Sequence, residues 1–310
     1  MNYAPIVMFV YDRADHFRAT FEALSNCPEA IKSDLFIFSD GPKNERAEKG
    51  VAEVRAFCRE AEKSGNFASV TVTESEKNKG LAASVIAGVT EVIEGRGQVI
   101  VVEDDCVASP YFLKYMNACL DRFDTDTEIG AIAGFSPPID LPKSYSQDIY
   151  LAYRSCSCAW ATWKRSWENI DWKLDTINEL YRDRALLKRL NSNGSDRFLR
   201  LYRQSKSDRG SWSIRFGYHL VKNELLTVYP RYSYIDNIGG DGSGVHSKAT
   251  DPGLRTDLSR AITDPIIERP ELDPEIQKRM KIFYSGGIIS DVKRAAVTRA
   301  VIIKERTKLK

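Results

Sequence analysis

The sequence predicts an α/β protein with a mostly parallel sheet flanked by helices. Up to Asp105, short apolar runs typical of strands alternate four times with stretches of helical periodicity, and short turns join them. Strands connected in this way form right-handed βαβ units, whose ligands bind at the carboxyl ends of the strands. The chain has 310 residues, of which 43% are hydrophobic and 28% charged, so it can bury a substantial core.

Each predicted element has its own pattern. The strands are expected at 4–10, 34–39, 67–73 and 98–103, and the helices at 14–24, 45–64 and 81–93. Phe17, Phe21 and Leu24, for example, recur at helical spacing. After residue 123 the alternation stops, and we expect a further strand at 129–135 and a helix at 271–283. The sequence contains neither a GxGxxG fingerprint nor a P-loop, so neither of these nucleotide sites is indicated.

Three acids end the fourth predicted strand. Glu103, Asp104 and Asp105 follow the run Val-Ile-Val-Val. Adjacent carboxylates repel one another unless a cation or hydrogen-bond donors neutralise them, and such oxygen ligands favour Mg²⁺ or Mn²⁺. The segment therefore predicts either a metal site at the strand's carboxyl end or a solvated acidic turn before the next helix.

The distribution of charge limits the classes of partner. The formal net charge is only +2, so we expect no nucleic-acid partner. Basic residues such as Lys293, Arg299 and Lys304 alternate with apolar residues near the C-terminus, which is typical of an amphipathic helix on anionic lipid or of a solvated tail. No signal-peptide pattern and no run of about 20 apolar residues occurs. We therefore expect a cytoplasmic protein, at most bound to the inner face of the cytoplasmic membrane.

The second half of the chain is rich in aromatic residues and contains a glycine-rich loop. All five tryptophans fall between residues 160 and 212, and we expect Trp163 and Trp167, which are four residues apart, to share a helix face. Such a cluster is typical of a core, but it also suits a pocket wall on which sugar or base rings stack. The segment 237–246 holds four glycines within six residues and ends at His246. It indicates either a loop that binds diphosphate through its backbone or a flexible surface loop.

Several motifs, taken in their order along the chain, resemble one enzyme family. They are Ala-Pro-Ile-Val at 4–7, Phe-Ser-Asp-Gly-Pro-Lys at 38–43, Asn-Lys-Gly-Leu-Ala at 78–82, Val-Val-Glu-Asp-Asp at 101–105, Trp-Ala-Thr-Trp at 160–163, Ser-Trp-Ser-Ile-Arg-Phe at 211–216 and Asn-Ile-Gly-Gly-Asp-Gly-Ser-Gly-Val-His at 237–246. Over residues 4–247 the chain resembles the bacterial family-2-like glycosyltransferases of the GT-A fold.

The resemblance implies a domain organisation and a reaction. A catalytic domain is expected at 1–247, with a nucleotide-sugar half at 1–125 and an acceptor half at 126–247, followed by a helical extension at 248–310. The enzyme would transfer a hexosyl or N-acetylhexosaminyl group from a nucleotide sugar, by preference a UDP-sugar, to a glycan or lipid-linked glycan. The resemblance further implies a role in surface-polysaccharide synthesis.

The resemblance also implies roles for individual residues. Asp105 and His246 are expected to bind Mn²⁺ or Mg²⁺. The expected donor-binding residues are Val10, Tyr11, Asp12, Arg13, Asp40, Lys79, Gly80, Glu103 and Asp104. The aromatic pattern adds acceptor-binding candidates, which are Trp160, Trp163, Trp212 and, beside them, Arg215.

The reaction also needs a general base, for which the sequence offers two candidates. An inverting displacement needs a carboxylate on the face of the sugar opposite the diphosphate. Members of the family often carry an acid just before the Ser-Trp pair, where this chain has Gly210. We therefore expect Asp208 as the first candidate and Asp241 as the second.

Two other functions remain open at this point. A nucleotidyltransferase also combines a Rossmann-like sheet with acidic metal ligands, although Tyr-Asp-Arg here follows the first strand in place of a glycine-rich loop. A carbohydrate-binding or scaffold protein of a polysaccharide assembly complex could keep this fold without turnover. Metal-dependent hydrolysis of the donor would distinguish an enzyme from a binding or scaffold protein, because a binding protein shows none.

Overall fold

The computed structural model describes residues 3–207, 210–242 and 255–308. Its strands are β1 Ile6–Val10, β2 Asp34–Ser39, β3 Ser69–Glu74, β4 Gln98–Glu103, β5 Cys106–Ala108, β6 Ile129–Ala133, β7 Ile149–Ala152, β8 Ala159–Trp163, β9 Leu226–Pro230 and β10 Ile235–Asn237. Its α-helices are α1 Ala14–Ser25, α2 Glu45–Ala61, α3 Leu81–Arg96, α4 Phe112–Arg122, α5 Lys164–Trp167, α6 Asn178–Arg182, α7 Arg184–Leu190, α8 Asp196–Gln204, α9 Trp212–Lys222, α10 Pro274–Ser285 and α11 Ile288–Lys308.

The main sheet has eight strands in the order β3-β2-β1-β4-β8-β6-β9-β7. Strands β1 to β4 are mutually parallel, and β8 runs antiparallel between β4 and β6. Strand β9 is parallel to β6, and β7 is antiparallel to β9 at the edge. Only β7 and β8 therefore oppose the other six strands. The predicted α/β class, with a mostly parallel sheet flanked by helices, is confirmed.

The apolar runs of β1 and β4 are buried because helices cover both faces of the sheet. Alternate residues of each strand belong to different cores: Ile6 and Met8 pack with α1 on one face, whereas Val7 packs with Val85 and Val89 of α3 on the other. A strand covered on both faces needs apolar residues at every position. This requirement explains the continuous run that identified β4 in the sequence.

Most of the predicted elements are present, and one helical prediction is wrong. Strand β2 has the predicted bounds, and α3 extends three residues beyond the predicted end at residue 93. The expected helix at 271–283 is α10, where the Asp273 side chain caps the backbone N–H groups of Glu275 and Ile276. Trp163 and Trp167 do not share a helix face, because Trp163 is the last residue of β8 and Trp167 ends the short α5.

A small second sheet connects two distant parts of the chain. Strands β5 and β10 pair antiparallel, with Cys106 opposite Asn237. Strand β5 begins directly after Asp105, and β10 ends at Asn237, the first residue of the glycine-rich segment. This pairing therefore places the beginning of that segment against the end of β4.

The C-terminal residues pack on the rest of the protein. Ile276 and Met280 of α10 belong to the main core, and the Gln277 side chain donates to the carbonyl of Leu151 at 2.7 Å. Ile302 of α11 packs into a separate cluster formed by α6 to α9. The predicted domain boundary at 247/248 lies outside the described residues.

His219 on α9 predicts a loss of stability in acid. Burial, with a smaller contribution from Lys222, lowers the pKa of His219 from 6.5 to about 4. Between these two values the unfolded chain binds a proton that the folded chain does not, so the free energy of unfolding falls as the pH falls from 6.5 towards 4. At about pH 4, where this fall is complete, the free energy of unfolding is lower by about 2 kcal/mol, the amount expected for a partly buried imidazole.

Urea denaturation of the wild type and of His219→Gln, at about pH 7.5 and about pH 4.5, measures this effect. The variant should lose about 2 kcal/mol less stability between the two conditions than the wild type. Equal losses in the two proteins would contradict the assignment to His219.

Candidate functional site

The parallel strands β1 to β4 end at one edge of the sheet. The segments that follow them contain Tyr11 to Arg13 after β1, Asp40 after β2, Lys79 and Gly80 after β3, and Asp104 and Asp105 after β4. The topology therefore brings the predicted donor-binding positions to the same edge, although they span nearly 100 residues of sequence.

An arginine joins two of the acids at this edge. The Nη2 of Arg13 forms an ion pair with Oδ1 of Asp104, and the Nε of Arg13 lies 3.3 Å from Oδ2 of the same carboxylate. The Nη2 of Arg13 also lies 2.9 Å from Oδ2 of Asp105. The three side chains are largely shielded from solvent, with exposed fractions of 18%, 8% and 12% for Arg13, Asp104 and Asp105. Arg13 Nη1 is buried without a hydrogen-bond partner among the described residues.

The carboxylates outnumber the cation that neutralises them. Burial raises the pKa of Asp104 to about 6, although Arg13 acts in the opposite direction. The pKa of Glu103 lies well above its usual range because of burial and of the neighbouring Asp105 and Asp104. Burial alone would lower the pKa of Arg13, but the two aspartates together raise it. The end of β4 is thus a region of excess negative charge that attracts cations.

The small sheet fixes the position of Asp105. Asn237, at the end of β10, donates through Nδ2 to Oδ1 of Asp105 at 2.9 Å, and the Ile238 N–H donates to the Asp105 carbonyl at 2.9 Å. The Asn237 Oδ1 accepts in turn from the N–H of Gly239 at 3.1 Å. A Cβ at Gly239 would overlap Oδ2 of Asp105 and lie 2.8 Å from its Cγ, so only glycine permits this approach. Asn237, which the sequence analysis did not single out, therefore orients the predicted metal ligand.

His16 is a second residue that the sequence analysis did not assign to the site. Its Nε2 lies 3.2 Å from Oδ2 of Asp241, in the segment that follows β10. His16 occupies the first turn of α1, only three residues after Arg13. The sequence could have indicated this role, because His16 follows shortly after the first predicted strand. The first turn of a helix in that position faces the carboxyl edge of the sheet. Asp241, the second base candidate, therefore lies beside α1.

Asp40 lies at the predicted edge, but it binds protein. Its Oδ1 accepts from the N–H groups of Gly41 and Lys79, each at 2.9 Å. Its Oδ2 accepts from the N–H of Gly80 at 2.9 Å and from Nδ2 of Asn78 at 3.1 Å. Gly80 has a φ of 77°, which favours glycine, at the start of α3. Asp40 thus holds two loops of the edge together. To contact the nucleobase of a bound donor, its carboxylate would have to share these hydrogen-bond donors.

The remaining donor-binding candidates differ in exposure. Val10 is buried in β1. The hydroxyl of Tyr11 accepts from the N–H of Lys43 at 3.1 Å, and the Asp12 and Lys79 side chains are exposed. The groups accessible to a ligand at this edge therefore include two candidates of opposite charge.

The structure contradicts acceptor contacts for the three predicted tryptophans. Trp160 and Trp212 stack with ring centroids 5.0 Å apart in the core between the sheet and α9, and their exposed fractions are 1% and 3%. Trp163 is 2% exposed and pairs with Gln98, at the end of β4 remote from Asp104. Because these rings are covered by protein, they stabilise the fold and offer no stacking face to a sugar.

Arg215 occupies a more exposed position than the tryptophans. It is half-buried on α9, and Gly210 lies between its guanidinium and Ala82 near the start of α3. Burial lowers the pKa of Arg215, against an opposing contribution from Asp171. A role in acceptor or phosphate binding stays a prediction for this residue.

A cavity of about 430 Å³ lies away from Asp104 and Asp105. It is lined by residues at the end of α3 and around α5, including Thr90, Trp167 and Trp172. A smaller cavity of about 60 Å³ borders Asp40 and Lys79. We therefore define the candidate site by the convergence of charged groups at the carboxyl edge.

The residues at the end of β4 fit a divalent metal. Within the described parts of the chain, no three histidine, cysteine or acidic side chains converge on one point. Mg²⁺ and Mn²⁺ are commonly held by one or two carboxylates with substrate phosphates and water completing the shell. Asp104 and Asp105 meet that requirement, provided that Arg13 shares them. His246, the other predicted ligand, lies outside the described residues, as does Asp208.

Comparisons with known proteins give similarity of fold only. No protein-family model matches the chain, and no curated protein sequence matches it significantly. Among solved structures, it is similar to S. aureus TarS (TM-score 0.46, 10% identity, covering 74% of this chain and 36% of that chain) and to TarS 1-349 (TM-score 0.44, 10% identity, covering 74% and 59%). It is also similar to the mannosyltransferase PcManGT from Pyrobaculum calidifontis in complex with GDP-Man and Mn²⁺ (TM-score 0.38, 12% identity, covering 58% and 51%). The chain thus spans less than two thirds of each solved chain, and TM-scores below 0.5 carry no conclusion about its activity.

Proposed function

We propose that this protein is a metal-dependent glycosyltransferase of the GT-A type. It would transfer a hexosyl or N-acetylhexosaminyl group, with inversion, from a UDP-sugar to a glycan or lipid-linked glycan in surface-polysaccharide synthesis. The observation that carries the proposal is the convergence of Asp104, Asp105 and Arg13 at the carboxyl edge of a mostly parallel sheet, against the segment that β10 brings to Asp105. The order of the sequence motifs supports the same class.

The charges at this edge suit a nucleotide diphosphate leaving group. Asp104 and Asp105 would hold Mn²⁺ or Mg²⁺, which would neutralise the negative charge that develops as the diphosphate departs. Arg13 already lies between these carboxylates, so its guanidinium is placed to donate to phosphate oxygens. The N-terminus of α1 begins directly after Arg13 and adds backbone N–H groups favourable to anions.

Two carboxylates remain candidates for the base that activates the acceptor hydroxyl. Asp241 lies beside His16, in the segment that contacts Asp105, and therefore on the side where the diphosphate would bind. An inverting base acts from the opposite face of the sugar. Asp208, which lies outside the described residues, therefore stays the first candidate and Asp241 the second.

The two candidates predict different kinetic defects. We expect Asp208→Asn to lower the rate of transfer by about 10²- to 10⁴-fold at unchanged donor affinity, because general-base catalysis contributes this much. Asp241→Asn should mainly raise the KM for the donor. Steady-state kinetics with both variants, together with donor titrations monitored by thermal shift, distinguish them. An unchanged rate in Asp208→Asn would contradict its role as base, and a larger loss of rate in Asp241→Asn would favour that residue.

A panel of nucleotide sugars tests the proposed function. UDP-, GDP-, dTDP- and CMP-sugars are added with and without Mn²⁺, and the midpoint of thermal unfolding is measured, since a ligand of the folded state stabilises it. We expect one nucleotide class to stabilise the protein in a metal-dependent manner, and the same donor to be hydrolysed slowly in the absence of acceptor. Stabilisation without turnover would instead support a binding module. Release of pyrophosphate from a nucleoside triphosphate and a sugar phosphate would support a nucleotidyltransferase.

A further inference from the structure

Helix α11 presents an apolar stripe that the described residues leave uncovered. Ile289 is 75% exposed, Val292 65% and Ile303 58%, values unusual for large aliphatic side chains in one helix. The opposite face of the helix is buried, where Thr298, Ile302 and Glu305 face the rest of the protein. The helix is thus anchored on one side and apolar on the other.

The exposed residues lie on one line along the helix. Ile289, Val292, Ala296 and Ile303 are spaced so that an α-helix of 3.6 residues per turn places them within a sector of about 60°. Ile288, which is 68% exposed, lies outside this sector at the beginning of α11. We call Ile289, Val292, Ala296 and Ile303 the outer stripe.

Cations flank the outer stripe on both sides. At the same helical periodicity, Lys293 and Lys304 lie on one side of it and Arg299 on the other, and all three are exposed. None of the three forms an ion pair within the parts of the chain that the structure describes. The two acids of α11 face inward, where Asp291 pairs with Lys281 and Glu305 with Lys206 and Lys308. The outer face therefore carries positive charge only.

From this arrangement we propose that α11 binds the surface of an anionic lipid bilayer. An amphipathic helix of this kind lies in the interface, with its apolar residues among the acyl chains and its lysines and arginines at the phosphate groups. A second copy of this chain is a less suitable partner, because two-fold packing would bring the cations of one α11 close to those of the other. Among the described residues, the structure contains no helix with the length and apolar character of a membrane span. The proposal goes beyond the proposed transferase function and does not depend on it.

Vesicle flotation with the full chain tests this proposal. We expect the protein to float with vesicles rich in phosphatidylglycerol and not with vesicles of phosphatidylcholine alone, and the bound fraction to fall with added salt. A triple variant, Ile289→Ser with Val292→Ser and Ile303→Ser, should lose flotation. A second triple variant, Lys293→Gln with Arg299→Gln and Lys304→Gln, should bind roughly fivefold more weakly for each cation removed.

Matched controls change the same chemistry elsewhere on the surface. Ile266→Ser removes an isoleucine that is 65% exposed, and Lys49→Gln with Lys63→Gln and Lys188→Gln removes three exposed lysines. Both controls should float like the wild type, and circular dichroism should show that all variants fold. Failure of the wild type to float with anionic vesicles would overturn the proposal, and so would flotation of both α11 variants to the same extent as the wild type. A dimer that light scattering detects only with an intact outer stripe, without flotation, would assign the stripe to a second copy of the chain.

Discussion

Asp105→Asn is expected to lower the rate of sugar transfer by on the order of 10²-fold or more, because electrostatic stabilisation of a leaving group by a bound metal contributes several kcal/mol. The substitution removes the negative charge but nearly preserves the size of the side chain. The Asn237 amide can still donate to the remaining carbonyl oxygen, as it donates to Oδ1 of Asp105. The fold should therefore persist while metal affinity is lost.

The measurement is the initial rate of nucleoside diphosphate release over a range of Mn²⁺ concentrations. Asp121→Asn serves as the matched control, since Asp121 is exposed on α4. A rate for Asp105→Asn equal to that of the wild type would remove Asp105 from the site. A defect fully restored by high Mn²⁺ would show that the carboxylate contributes affinity only.

Gly239→Ala should displace the Asp105 carboxylate while leaving its chemical identity unchanged. The added methyl group would overlap Oδ2 of Asp105, so either the carboxylate or the segment after β10 must move. Overpacking of this kind costs about 1–3 kcal/mol of stability. We expect transfer to fall at least about tenfold, because small displacements of a catalytic group have large effects on rate.

Two comparisons make this prediction specific. Gly95→Ala places its methyl group in open space on α3, and it should retain activity and raise the stability by about 0.5–1 kcal/mol. In a double-mutant cycle, Gly239→Ala should add little to the loss caused by Asp105→Asn if it acts through that carboxylate. Independent, additive losses would show that Gly239 acts by another route.

The tryptophans show why burial is difficult to predict from composition. The cluster between residues 160 and 212 suited both a core and a pocket wall, and the structure selects the core. Trp160 is covered because α9 and α5 supply Trp212, Trp167 and Phe216 around it. Those contacts join residues separated by up to 56 positions in the sequence, so no local pattern distinguishes an aromatic ring inside the protein from one at its surface.

The sequence by itself determined the α/β class, the positions of β1, β2 and β4, and the edge at which Asp104 and Asp105 lie. These features follow from local periodicity, because a strand buried on both faces must be apolar throughout and must end where polar residues begin. Only the tertiary structure decided that Asn237 orients Asp105 and that His16 lies beside Asp241. The hydrogen bonds by which Asp40 joins two loops were likewise decided there. The pairing of β5 with β10 involves two strands of three residues each, too short to show periodicity, and it depends on closing a loop of more than 100 residues.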